Sequence, residues 1–175
     1  MRSAKRKLLL IGISALTATA LILGGIRIVQ SVQSANALQR SRSVQLATLS
    51  SNVTTLVQRL RDESGQTVYF IVHGRNCLLY CVAHADQAVR ELGVVVAQQA
   101  STNRTSRVVD GELAHIGPSF PTRIRQEAES ARFELSVVLP ELRDSASATS
   151  LPALVAEQEY TKVIDRLLAL EHASA

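Results

Sequence analysis

Tryptophan is absent from the 175 residues, aromatic side chains make up only 3% of them, and there are just 8 glycines and 4 prolines. So few aromatics and glycines argue against a β-sandwich or barrel, which needs them for packing and for its many turns. The same shortages exclude collagen-like and low-complexity disordered chains. Also missing are a Gly-rich phosphate loop, His-Glu-x-x-His and Gly-x-Ser-x-Gly, so no catalytic signature is present and no enzyme activity is expected. Asp62 and Glu63 are adjacent, point to different sides of a helix and cannot act as an acid–base pair. What is there instead is a chain that is 46% apolar, rich in alanine, leucine and valine. That composition points to helices packed on helices.

The net charge of +4 has a local origin. Arg2, Lys5, Arg6 and Lys7 stand in the first seven residues and Arg27 follows. From residue 28 onward 14 basic residues face 15 acidic ones. No basic surface remains for nucleic acid, which is excluded as a partner.

Between those basic residues, Leu8 to Ile26 run for 19 residues without a charge. At 1.5 Å per residue a helix of that length spans about 28 Å, the thickness of a bilayer core. Positive charge before it and none of either sign within it predict a cytoplasmic N-terminus, with everything past about residue 29 outside. A cleaved signal peptide is the alternative. Ala35-Asn36-Ala37 has the small-x-small form, but it lies too far beyond the apolar run, and the run is longer than a usual signal core. The expected organisation is a cytoplasmic basic segment over 1–7, a transmembrane helix over 8–29 and an extracytoplasmic helical bundle over 30–175.

Past the anchor, apolar residues recur with helical period. Leu46, Leu49, Val53, Leu56, Val57 and Leu60 form one stripe, and Gly74 and Asn76 mark its break. Val82, Ala85, Val89, Leu92 and Val96 follow in steps of 3 and 4, a coiled-coil-like seam that serves either the core or a dimer face. Residues 101–120 read as a polar connection with room for a short turn of helix. Pro121 suits a first helical position. Ile124, Ala128, Ala131, Leu135 and Val138 make a third stripe, which Pro140 should kink or end. Residues 144–150 read as a loop with Ser150 as N-cap, before a fourth helix carrying Tyr160, Val163, Ile164, Leu167 and Leu168. Four amphipathic segments most simply close into an all-α four-helix bundle.

Four stretches, in order, carry a resemblance: Leu56-Val57-Gln58-Arg59-Leu60-Arg61-Asp62-Glu63, Ala85-Asp86-Gln87-Ala88-Val89, Leu139-Pro140-Glu141-Leu142-Arg143 and Tyr160-Thr161-Lys162-Val163-Ile164-Asp165. Together they resemble the nitrate- and nitrite-sensing domain of bacterial sensor histidine kinases. The resemblance implies a helical bundle that binds a small oxyanion and passes a signal through the membrane. It also implies that an arginine following the glutamate helps hold the anion, and here that position is Ser64. Period counting places Ser64 on the buried stripe, four residues after Leu60. A guanidinium there would match the planar oxygens of nitrate, whereas a serine offers one neutral donor. Arg61, at the edge of the stripe, is the candidate substitute. Arg61 and Ser64 are therefore the expected ligand-binding residues, and nitrate binding is expected to be weak or absent.

His73, Cys77, Cys81 and His84 are spaced 4, 4 and 3. Four ligands along one helix face cannot surround a metal, so no metal site is expected. Cys77 and Cys81 read as two buried thiols or, in an oxidising compartment, as a disulfide that needs an irregular backbone. No cofactor is expected. The expected partners are a small anion, the membrane, and either a second copy in a homodimer or a separate sensor kinase. The alternative reading is a ligand-free structural or dimerising bundle, or a truncated remnant of a sensor kinase.

Overall fold

The computed structural model describes the backbone of residues 2–75, 85–148 and 151–174, and the side chains of residues 36–75, 86–148 and 151–173. The apolar run Leu8–Ile26, the Cys77 and Cys81 pair and the Ser150 cap all lie outside the residues whose side chains are described. Among the described residues no helix is long and apolar enough to cross a membrane. The chain divides into two units, Met1–Gln45 and Leu46–Ala175. The first is helical, and the side chain of Leu38 within it is exposed.

The second unit is a bundle of four helical rods, and the described residues contain no strand. The rods are the part of α1 (Arg2–Tyr69) from Leu46 onward, continued by a π-helical turn over Phe70–Gly74; α2 (Ala85–Leu113); α3 (Thr122–Phe133), continued by a π-helical turn over Glu134–Val138 and by α4 (Leu139–Ser147); and α5 (Ala153–Ser174). All-α architecture agrees with the stripes of the sequence. One stripe on α1 steps through Leu49, Val53, Leu56, Leu60, Glu63, Thr67 and Phe70 in intervals of 4 and 3 and is buried throughout. Its Leu49, Val53, Leu56 and Leu60 join Val109 and Leu113 of α2, Ile124, Ala128 and Ala131 of α3, and Val163, Leu167 and Leu170 of α5 in one core. A smaller cluster of Ile71, Ala146 and Ala156 closes one end.

Two boundaries differ from expectation. The stretch 101–113 is not a connection but the second half of α2. Its inward positions are Thr102, Ser106, Val109 and Leu113, again spaced 4, 3 and 4. The buried Thr102 satisfies its hydroxyl by donating to the Gln98 carbonyl one turn back at 3.0 Å, which makes a polar residue acceptable inside. Pro140 does not end the third rod. A proline ring crowds the carbonyl four residues earlier and donates no hydrogen bond. The π turn just before it absorbs this misfit, with the Leu139 N–H reaching five residues back to Glu134. The helix then runs on to Ser147, so most of the expected 144–150 loop is helical.

The seam of α2, read as either core or a dimer face, does not lie in the core at Val89 and Val96, which are 59% and 55% exposed; Leu92 is half-buried, and Ala88 and Val95 are the buried residues of this stretch. Gly74, expected as a break, lies within the π turn. A Cβ there would come within 2.7 Å of both Glu91 Oε2 and the Phe70 ring, so glycine lets α2 approach the end of α1. Beyond it, Arg75 donates to the carbonyls of Ala148 at 3.1 Å and Leu151 at 2.7 Å, tying the connection between α4 and α5 to the end of the first rod.

Candidate functional site

One turn of α1, Arg59 to Ser64, carries the chemistry. Successive residues on a helix are about 100° apart, so this turn distributes its side chains around the whole rod. Glu63 follows Leu60 by three and Ser64 by four, and both intervals return to the inward face. The side chain that takes the centre is Glu63, which is fully buried. Ser64 is only half-buried, which corrects its expected place on the stripe. Arg61 is exposed. Arg59 is half-buried and donates to the Ser101 hydroxyl of α2, while Gln98 donates to its carbonyl at 3.3 Å.

Buried carboxylates need a partner, because the bundle interior cannot solvate a charge. Glu63 has two. Arg143 of α4 donates from Nε to Glu63 Oε1 at 2.6 Å and from Nη2 to Oε2 at 2.7 Å, a bidentate fork. The Tyr160 hydroxyl of α5 donates to Oε1 at 2.7 Å. Thr67 stands 3.4 Å behind that hydroxyl, and Asn103 of α2 accepts the remaining Arg143 Nη1 at 2.6 Å. Side chains from α1, α2, α4 and α5 thus meet in one network. Burial lowers the pKa of the Arg143 guanidinium, but the Glu63 carboxylate outweighs burial and holds it above its ordinary value. The Tyr160 hydroxyl is pushed well up, first by burial and then by the same carboxylate, so it stays a donor.

Arg61 and Ser64 come together elsewhere. Both line a cavity of about 400 Å³ between α1 and α5, opposite Glu157, Thr161 and Asp165. Arg61 also borders a second cavity of about 670 Å³ that includes Arg59, Gln98, Ser101, Asp62 and Glu171. Hydroxyl and guanidinium donors suit a small anion, and the facing carboxylates oppose one. Of His73, Cys77, Cys81 and His84, only His73 is described. It is exposed, stacks on Tyr69, and belongs to no group of possible metal ligands among the described residues.

The sequence pattern gives Glu63 and Arg143 no site role, places Tyr160 only on the apolar face of the fourth helix, and puts Asn103 in the polar connection. One signal was available: an ionisable residue three positions after a core leucine, and an arginine directly after Leu142, both on inward faces.

The chain matches the family described as nitrate and nitrite sensing over residues 55–175. No curated protein and no solved structure matches it.

Proposed function

We propose, from the premise that the chain belongs to the nitrate and nitrite sensing family, that it is a membrane-anchored input module for a small planar oxyanion. Family membership over most of the bundle is the observation that carries this reading; the family's description is sensory and names no reaction. In this proposal the anion sits in the cavity between α1 and α5, with the Arg61 guanidinium and the Ser64 hydroxyl as donors. Binding would draw the two helices together and shift their packing, the usual form of such a switch. The Leu8–Ile26 run would anchor α1 in the membrane with the basic segment inside and the bundle outside. Relay then requires a partner carrying the output, such as a separate sensor kinase.

One observation favours a second reading, a bundle that no longer binds. The most deeply buried guanidinium, Arg143, already holds a planar pair of oxygens, those of Glu63. The open cavity offers Arg61 against two carboxylates. Titration calorimetry of the chain with nitrate and nitrite separates the two. Binding that is lost in Arg61→Ala supports the sensor, and heat-silent titrations with both anions support the ligand-free bundle. A reporter active only in the cytoplasm, fused after Ala175, should be silent; an active fusion would reverse the proposed topology.

A further inference from the structure

We infer that the cavity between α2 and the π turn of the third rod is a binding site for a small organic carboxylate. Its volume is about 310 Å³, at the lower end of the roughly 300–1,000 Å³ of small-molecule pockets. Asn103, Ser106, Arg107 and Asp110 form one wall, and their spacing of 3, 1 and 3 keeps them on one face of α2. Leu135 and Ser136 form the other, inside the π turn Glu134–Val138. None of these six residues lines the cavity between α1 and α5, so the site is separate from the one proposed for the sensor.

Three donors on the α2 wall have no acceptor among the described residues. Ser106 is only 9% exposed, so its hydroxyl is largely cut off from bulk water. Thr102, one turn earlier, donates to the Gln98 carbonyl, but Ser106 makes no hydrogen bond among the described residues. A buried hydroxyl without a partner costs free energy, and a ligand in the cavity it lines removes that cost. Asn103 is oriented by its neighbour. Arg143 can only donate, so the Asn103 atom 2.6 Å from its Nη1 is the oxygen, and the amide N–H groups are left over. The Arg107 guanidinium is exposed and makes no ion pair among the described residues.

Charge and shape select the ligand. Asp110 is the one carboxylate lining the cavity, and Arg132 already neutralises it at 2.9 Å. One uncompensated positive charge remains, which suits a monoanion better than a dianion and leaves the ammonium of an amino acid without a free partner. The Ser136 hydroxyl is spent on the Arg132 carbonyl at 2.7 Å. A guanidinium fork matches the two coplanar oxygens of a carboxylate. Nitrate would use the same donors but has no tail. The cavity has room for roughly ten waters at about 30 Å³ each, and the buried Leu135 side chain gives it an apolar wall opposite α2. A short aliphatic carboxylate uses both walls.

The test titrates the full chain in detergent micelles with butyrate, acetate and nitrate by isothermal calorimetry. We expect saturable butyrate binding, about three- to tenfold tighter than acetate, since each buried methylene adds favourable transfer energy. Arg107→Gln should weaken butyrate binding at least about tenfold and Ser106→Ala about fivefold, the worth of a charged and of a neutral hydrogen bond. Both variants should keep the native circular dichroism, because position 107 is exposed and the Ser106 hydroxyl has no bond for alanine to lose. Lys162→Ala, on an outer face of α5, should leave butyrate affinity unchanged. Absence of butyrate binding, binding that neither Arg107→Gln nor Ser106→Ala weakens, or nitrate that displaces butyrate at equal or lower concentration would each overturn the inference. Nitrate titrations of Arg61→Ala report separately on the sensor reading, so its failure is distinguishable.

Discussion

Glu63 and Ser64 are neighbours in the chain and inhabit opposite environments. Glu63 is sealed inside four helices with its charge fully paired, whereas Ser64 opens on a cavity beside an exposed guanidinium. On the proposed reading, the contrast separates holding the bundle together from meeting a dissolved anion. A buried charge tolerates no change in its surroundings, because desolvation penalises every missing partner. An exposed donor tolerates most changes, because water replaces what is lost. The inner residue should therefore govern stability and the outer one affinity.

The largest effect should come from splitting the inner pair. Arg143→Met leaves the Glu63 carboxylate buried and unpaired, and should destabilise the bundle by about 3–5 kcal/mol, read as a lower urea midpoint. Glu63→Leu combined with Arg143→Met should recover most of that loss, since replacing a buried ion pair with apolar residues is often neutral. A double variant no more stable than the worse single would show that the network does more than neutralise itself.

Next in size is Tyr160→Phe, which removes a hydrogen bond to a charged group and should cost about 1.5–3 kcal/mol. Its pH signature sharpens the comparison. The folded state holds the Tyr160 hydroxyl above its ordinary pKa, so above about pH 10 the unfolded chain has released a proton that the folded chain still binds. Stability from this group is thus complete below about pH 10 and declines as pH rises further. Chemical denaturation at rising alkaline pH should show the decline in the native chain and a shallower one in Tyr160→Phe.

Gly74→Ala should cost about 1–3 kcal/mol, as the added methyl forces Phe70 or Glu91 aside; thermal unfolding reads it directly. The smallest stability effects belong to the outer residues. Arg61→Ala should change stability by less than about 0.5 kcal/mol. Ser64→Arg should strengthen nitrate binding about ten- to a hundredfold, the worth of a charged bidentate set at roughly 1.5–3 kcal/mol. Calorimetry in which Ser64→Arg leaves affinity unchanged would move the site off this wall.

The helical class, the fourth helix and the α1 stripe were legible because leucine and valine at intervals of 3 and 4 leave no other simple arrangement. The second half of α2 was not, since its inward face uses Thr102 and Ser106, whose hydroxyls look like loop chemistry until the helix itself satisfies them. Pro140 looked like a terminus because a π turn cannot be anticipated from side-chain types. The candidate site was half legible. Arg61 and Ser64 do share a cavity wall, but intervals of three and four are equivalent on paper, and period counting had no means to prefer Ser64 or Glu63 for the interior. What decides it is a partner 80 residues away.

That separation in sequence has a consequence in time. At ordinary synthesis rates the 80 residues between Glu63 and Arg143 take roughly 4–16 s to emerge. Throughout that interval α1 carries its carboxylate on the face it will later bury, with no cation to receive it. Closing the bundle around Glu63 before α4 is made would bury a carboxylate without its cation, which desolvation disfavours. Arrival of α4, and then of α5, supplies the Arg143 guanidinium and the Tyr160 hydroxyl that burial of Glu63 requires.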